Sequence, residues 1–172
     1  ADFTTAVGSD AQAIGTGASA LGAGAVASGE NAAAFGRGAQ STQTLSSAFG
    51  QGAAATGTQS TAVGSTSQAA AANASAYGNA ASATGIGATA LGQGAKAAGV
   101  DATALGRGAS AGYDNAAAFG SGAVASRADQ IAIGTASNTL TIAGVGSNAS
   151  RATQGGPLQV LTTDANGNIA GD

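Results

Sequence analysis

This sequence predicts an all-β solenoid of fourteen-residue coils, and three observations carry that expectation. The tripeptide Ala–Φ–Gly, with Φ a large apolar residue, recurs every fourteen residues. The residues before Φ alternate in character as those of a strand do. Glycine closes each unit where the chain needs a turn.

The Φ residues are Val7, Leu21, Phe35, Phe49, Val63, Tyr77, Leu91, Leu105, Phe119 and Ile133. Ala precedes and Gly follows every one, with no insertion or deletion. A helix is the first rival, since Ala is the best helix former, but each interior Gly would cost about 1 kcal/mol relative to Ala. Fourteen residues are also two heptads. A coiled coil would need apolar residues at both a and d of each heptad, whereas the repeat carries one large residue per unit. Strands fit where helices fail.

In Asp101-Ala102-Thr103-Ala104-Leu105-Gly106, Thr103 and Leu105 share one face of the first strand and Ala104 takes the other. The column two before Φ is small in most coils, as in Ser19, Ala33, Ser47 and Thr61. A second short strand follows the glycine turn, as in Ala39-Gln40-Ser41 or Ala95-Lys96-Ala97. Its outer residues are Ala or Ser in nearly every coil, and its middle residue varies freely. The small ones are therefore expected to point inward and the variable one to water. Gln68 to Ser75, which lacks the second glycine, is expected to turn more loosely.

On the first strand the Φ residue is expected to fill the coil interior. The invariant Ala beside it then lies on the opposite face, where a solvent-facing column has no reason to exclude every polar residue. That points to homo-oligomerisation through Ala20, Ala34, Ala48, Ala62, Ala76, Ala90, Ala104, Ala118 and Ala132. Energetics agree that a lone stack is marginal. One buried Leu, Ile or Phe contributes about 1.5–3 kcal/mol, while ordering each backbone residue costs about 1–2 kcal/mol. On this reading Leu105→Asp unfolds the coil and Ala104→Leu breaks the assembly.

Composition narrows the function. Charged residues make up 8% of the chain and the net charge is −3, without a basic run, so nucleic acid is not an expected partner. No apolar stretch approaches the length of a membrane span, and no signal peptide opens the chain. The segment therefore reads as an excised piece of a larger protein. No His and no Cys are present, which removes the usual bases, thiol nucleophiles and most transition-metal sites. An enzyme is not expected, nor a cofactor or metal.

Asp101, Asp114 and Asp129 sit at or beside the turn entering the first strand, near Asn31, Asn73 and Asn115. Turn chemistry explains them, since Asx side chains bond nearby amides. A calcium ladder is the sharper alternative, but the nine-residue calcium-binding repeat is absent. Pairs such as Gly36-Arg37-Gly38 superficially suggest a phosphate loop, yet they recur in most coils with no helix after them. The side chains available for ligand contact are Arg37, Gln40, Gln51, Gln93, Lys96 and Arg107, with Arg127 a further cation.

At Asp101 to Gly106 the unit resembles the NSVAIG-type repeat of YadA-like head domains in trimeric autotransporter adhesins of Gram-negative bacteria. Asn31-Ala32-Ala33-Ala34-Phe35-Gly36 and Asn115-Ala116-Ala117-Ala118-Phe119-Gly120 are similar variants. The resemblance covers residues 6 to about 139. It implies a left-handed parallel β-roll, a homotrimer, and a place on the bacterial cell surface outside the outer membrane. It also implies binding to host extracellular-matrix proteins or cell-surface receptors, with no membrane insertion by this segment. The column two before Φ is Ser, Thr or Ala where the family pattern has Val, and the family's neck motif is missing.

The domain expectation is repeats over 1–139 and a small β connector toward a stalk or neck over 140–172. Within the latter, Leu140 to Val145 and Leu158 to Thr163 have strand character, Pro157 precedes the second, and Asn166-Gly167 signals a hairpin turn back through Asn168-Ile169. Two other functions fit the repeat. A passive spacer of a surface fibre would need no ligand. An ice-binding solenoid would need an outward Thr column, but the column seven after Φ mixes Ile14, Ser28, Thr42, Thr56, Ala70 and Gly112.

Overall fold

The structure, a computed structural model, describes residues 3–142, 147–154, 161–164 and 167–171. It divides into two compact units, Ala1–Thr139 and Leu140–Asp172. The first is a parallel β-solenoid. Three-residue strands from Thr5–Val7 to Ile131–Ile133 form one ten-stranded sheet, and two-residue strands from Gln12–Ala13 to Val124–Ala125 form a nine-stranded one.

Each residue pairs with its equivalent one coil away: Thr103 with Ala117, Ala104 with Ala118, Leu105 with Phe119. The ladder runs on through the turns, where Gly106 donates to the Leu91 carbonyl at 2.8 Å and Asp101 to that of Ile86 at 2.8 Å. A fixed fourteen-residue period is thus enforced at every position of the coil, because one insertion would misalign strands and turns together. At 4.8 Å per coil, ten coils make a stack on the order of 45 Å long.

The turns explain the invariant glycine. Gly106 has φ +134°, and a Cβ there would sit 2.5 Å from the carbonyl carbon and oxygen of Gly120 in the next coil. Both the conformation and the close approach require glycine. Gly106→Ala is expected to destabilise the solenoid by about 3 kcal/mol or more, combining backbone strain with a clash; a melting midpoint equal to that of the parent would refute this. The Gln68 to Ser75 segment turns like the others, contrary to the looser turn expected. Asn73 takes the left-handed conformation at φ 58° and donates to the Thr58 carbonyl at 2.9 Å, since Asn tolerates what most residues do not.

The interior overturns one sequence expectation. Ala102, Ala104, Ala109 and Ala111 of a single coil are each 0% exposed, and equivalent alanines fill neighbouring coils. The invariant column Ala20, Ala34, Ala48, Ala62, Ala76, Ala90, Ala104 and Ala118 therefore lies inside one chain and has no surface to offer a partner. Ala132, in the last coil, packs partly buried against the same core. The Φ residues point the other way: Leu21, Leu91 and Leu105 are 49%, 45% and 40% exposed. The cause is the width of the coil. Its turns reverse the chain within a few residues, so the two sheets lie too close for anything much larger than a methyl group between them.

Where the core is polar, it is satisfied. The buried Ser41 hydroxyl donates to the Ser46 carbonyl at 2.7 Å, and Ser46 to that of Gln43 at 2.6 Å. Ser60 and Ser67 donate to the Gly57 and Gly64 carbonyls at 2.7 and 2.9 Å. Each serine replaces an alanine at the cost of one hydroxyl, and each hydroxyl finds a turn carbonyl.

In the second unit, Leu161–Thr163 pairs antiparallel with Ile169–Gly171. Asp164 closes this hairpin, its carboxylate accepting from the Asn168 backbone at 2.9 Å and its side-chain amide at 2.7 Å. A short helix, Asn148–Thr153, was not foreseen. Leu140 to Ile142 do not form a strand. Ala143 to Val145, Pro157 to Val160 and Asn166 lie outside the described residues.

Candidate functional site

Turned outward, the Φ residues stack in register down the first sheet, Leu91 on Leu105 and Leu105 on Phe119. Phe35 and Phe49 meet edge to face with ring centroids 5.2 Å apart. Val7, Leu21, Tyr77, Leu91, Leu105 and Ile133 are all exposed along it, a contiguous apolar surface of the kind that marks an interaction site when large.

A second pattern runs along this stripe. Thr103 and Leu105 face outward together, and in five coils the two columns compensate in volume, whereas Ile131 and Ile133 of the last coil are both large. Beside Phe35, Phe49 and Phe119 stand Ala33, Ser47 and Ala117; beside Val7 and Val63 stand Thr5 and Thr61. A face washed by water has no reason to balance large against small. A packed face does.

The candidate ligand contacts fall in two places. Arg37, Gln51, Gln93 and Arg107 occupy one turn column, immediately after the Φ–Gly pair, and all are exposed. Gln40 and Lys96 point outward from the middle of second-sheet strands. Arg37 neighbours Gln51, and Gln93 neighbours Arg107, but three coils, on the order of 14 Å, separate Gln51 from Gln93. They do not converge on one pocket.

The acidic turn is held by left-handed backbone and by side-chain bonds between adjoining coils. Asn31, Asp101, Asn115 and Asp129 adopt φ of 53°, 53°, 55° and 58°. Asp114 accepts from the Val100 amide at 2.8 Å, and Asn115 donates to Asp129 at 3.0 Å. Among the described residues, no three His, Cys, Asp or Glu side chains gather as a metal site would need, and no helix is long and apolar enough to cross a membrane.

What sequence reasoning missed is the outward stripe itself. The signal was available: an invariant column of the smallest side chain marks a confined interior as well as it marks an interface.

Comparison with known proteins agrees with this architecture. No curated protein matches the sequence. Among solved structures, the chain is similar to the crystal structure of the collagen-binding domain of the Yersinia adhesin YadA, with a TM-score of 0.57 and 22% identity, over 97% of this chain and 78% of that one. At that identity the likeness establishes the fold. The family model for the YadA head domain repeat (2 copies) matches residues 1–25, 13–39, 27–53, 41–67, 55–81 and 83–109. From residue 13 to residue 55 the matches start fourteen residues apart, the same interval as the coils. Together they span more than half of the sequence, and the chain belongs to the YadA head repeat family.

Proposed function

We propose that this chain is the head of a trimeric adhesin on the outer surface of a bacterium, attaching it to host extracellular matrix or to cell-surface receptors. The observation that carries the reading is the outward Φ stripe with its compensating neighbours. Three copies facing a common axis would cover it, and the in-register stacking of identical coils suits a partner with the same period. Family membership supports the adhesive role and a three-chain assembly.

With the first sheet turned to the axis, the second sheet becomes the outer wall. Its face is flat, weakly charged and repetitive, with Gln40 and Lys96 among its polar side chains. A surface of this kind binds by many equivalent shallow contacts along an extended ligand. The collagen of the similar Yersinia protein is the first such ligand to test. Residues 140–172 would lead from this head toward a stalk.

Two measurements test the proposal. The purified segment is expected to show the solution mass of three chains. Immobilised collagen, and then other matrix proteins, are expected to retain it. A single-chain mass would remove the trimer, and binding to no matrix protein or cell would remove the adhesive role and leave a spacer.

A further inference from the structure

The turn that enters the first strand changes character toward the C-terminal end of the stack. Its three residues lie eight, nine and ten places after Φ. In earlier coils they are mostly small or polar, as in Gly15-Thr16-Gly17, Gly57-Thr58-Gln59 and Ala71-Ala72-Asn73. From Ile86 onward they are not. Ile86 and Val100 follow one another in the middle column, and Tyr113 takes a column that is glycine at Gly85 and Gly99. These three side chains are 55%, 41% and 52% exposed.

Acid stands among them. Asp101, Asp114 and Asp129 fall in the same run of turns, all exposed, in a chain that is only 8% charged. The backbone holds them in a fixed ridge. The Asp101 amide donates to the Ile86 carbonyl at 2.8 Å, and the Asp129 amide to that of Asp114 at 3.0 Å. The bonds that Asp114 accepts from the Val100 amide and Asp129 from Asn115 each occupy one carboxylate oxygen. Arg127, one coil on from Tyr113, offsets one of the three charges.

We infer that this ridge docks a segment of another protein that carries basic and apolar side chains together. Lys and Arg suit such a surface, because their stems cover apolar groups while their heads reach a carboxylate. Opposite charge also steers the two partners together. From Ile86 to Asp129 the ridge climbs three coils, on the order of 14 Å, which is the span of about four residues of extended chain. A second copy of this chain is a poor occupant. Its cations stand among small or polar neighbours, Lys96 between Ser82 and Ser110, and Arg107 between Gln93 and Ser121. The inference deepens the adhesive reading by giving one contact of the head its partner chemistry.

The repeat itself supplies substitutions that its turns accept. Ile86→Thr and Val100→Thr copy Thr44 and Thr58 in the same column, and Tyr113→Gln copies Gln43. Asp101→Asn and Asp129→Asn copy Asn31 and Asn73, while Asp114→Asn keeps an acceptor for the Val100 amide. Random dodecapeptides displayed on phage, selected on the immobilised segment, are expected to be rich in Lys or Arg beside Leu, Ile or Phe. A recovered peptide is expected to bind each triple variant at least about tenfold more weakly, with unchanged dichroism. Salt raised from about 0.05 M to about 0.5 M should weaken binding to the parent and not to the Asp-to-Asn variant.

Peptides without basic residues, equal binding by either variant, or no recovered peptide would each overturn the ridge assignment. A matrix protein that retains the parent and both variants equally also removes the ridge, and leaves the adhesive reading standing. Basic peptides held on the ridge of a segment that no matrix protein or cell retains would do the reverse.

Discussion

Ala104→Leu is expected to damage the fold of the single chain, not merely its assembly. Ala104 is 0% exposed, packed among alanines of its own and adjoining coils. Leucine adds three carbons where the interior is one methyl group deep, and both sheets are held by ladders that cannot spread locally. Overpacking an ordinary core costs about 1–3 kcal/mol, occasionally more; here the upper end, about 3 kcal/mol, is expected because no neighbouring side chain is large enough to rearrange. In a domain of this size that lowers the melting midpoint by about 6–12 °C. Amide exchange should show the loss concentrated around the coil of residue 104. A melting curve and exchange pattern matching the parent would show that the interior is wider than described.

The opposite outcome is expected for Leu105→Asp, one residue on. Leu105 is 40% exposed on the outward face, so a carboxylate there can be hydrated in a lone chain and the coil persists. In a trimer the same change gathers three carboxylates about the axis without partners. Leaving a buried charge uncompensated costs about 3–5 kcal/mol, which weakens association more than a hundredfold. Light scattering should report a fall from three chains to one while the far-ultraviolet dichroism stays that of a β-solenoid. Lys96→Asp, on the outer wall, is the control and should leave the mass unchanged. A trimer that survives Leu105→Asp would end the assignment of the Φ stripe to the axis.

These two expectations reverse those drawn from the sequence alone, and the reversal locates what was legible there. The period, the two strands, the turns and the inward small residues of the second strand were all readable, because column identity across ten coils reports alternation directly. Alternation separates two faces of a strand but does not say which of them is inside. Leu105 was placed inside on the ordinary association of large apolar residues with cores. That association presumes room, and room is set by how sharply the chain turns. Gly106 at φ +134° and Gly108 at φ 66° turn it within a few residues, a three-dimensional consequence that no single column displays. The helix Asn148–Thr153 was invisible for another reason: six residues are too few to show a helical period.

The candidate site was legible in part. The exposed position of Arg37, Gln51, Gln93 and Arg107 followed from the repeat, as did the turn role of Asp101 and Asn115.

The alanine interior has a consequence for how such a protein can change over time. Since no coil holds a side chain that only its particular neighbour fits, coils are interchangeable units inside the stack. Duplicating or deleting one fourteen-residue block lengthens or shortens the rod by about 4.8 Å and disturbs only the junction. In the proposed trimer all copies encoded by the same gene would change by the same step, and their coils would stay level with one another. Reach is therefore a heritable, countable quantity in this architecture, adjustable without redesigning a core.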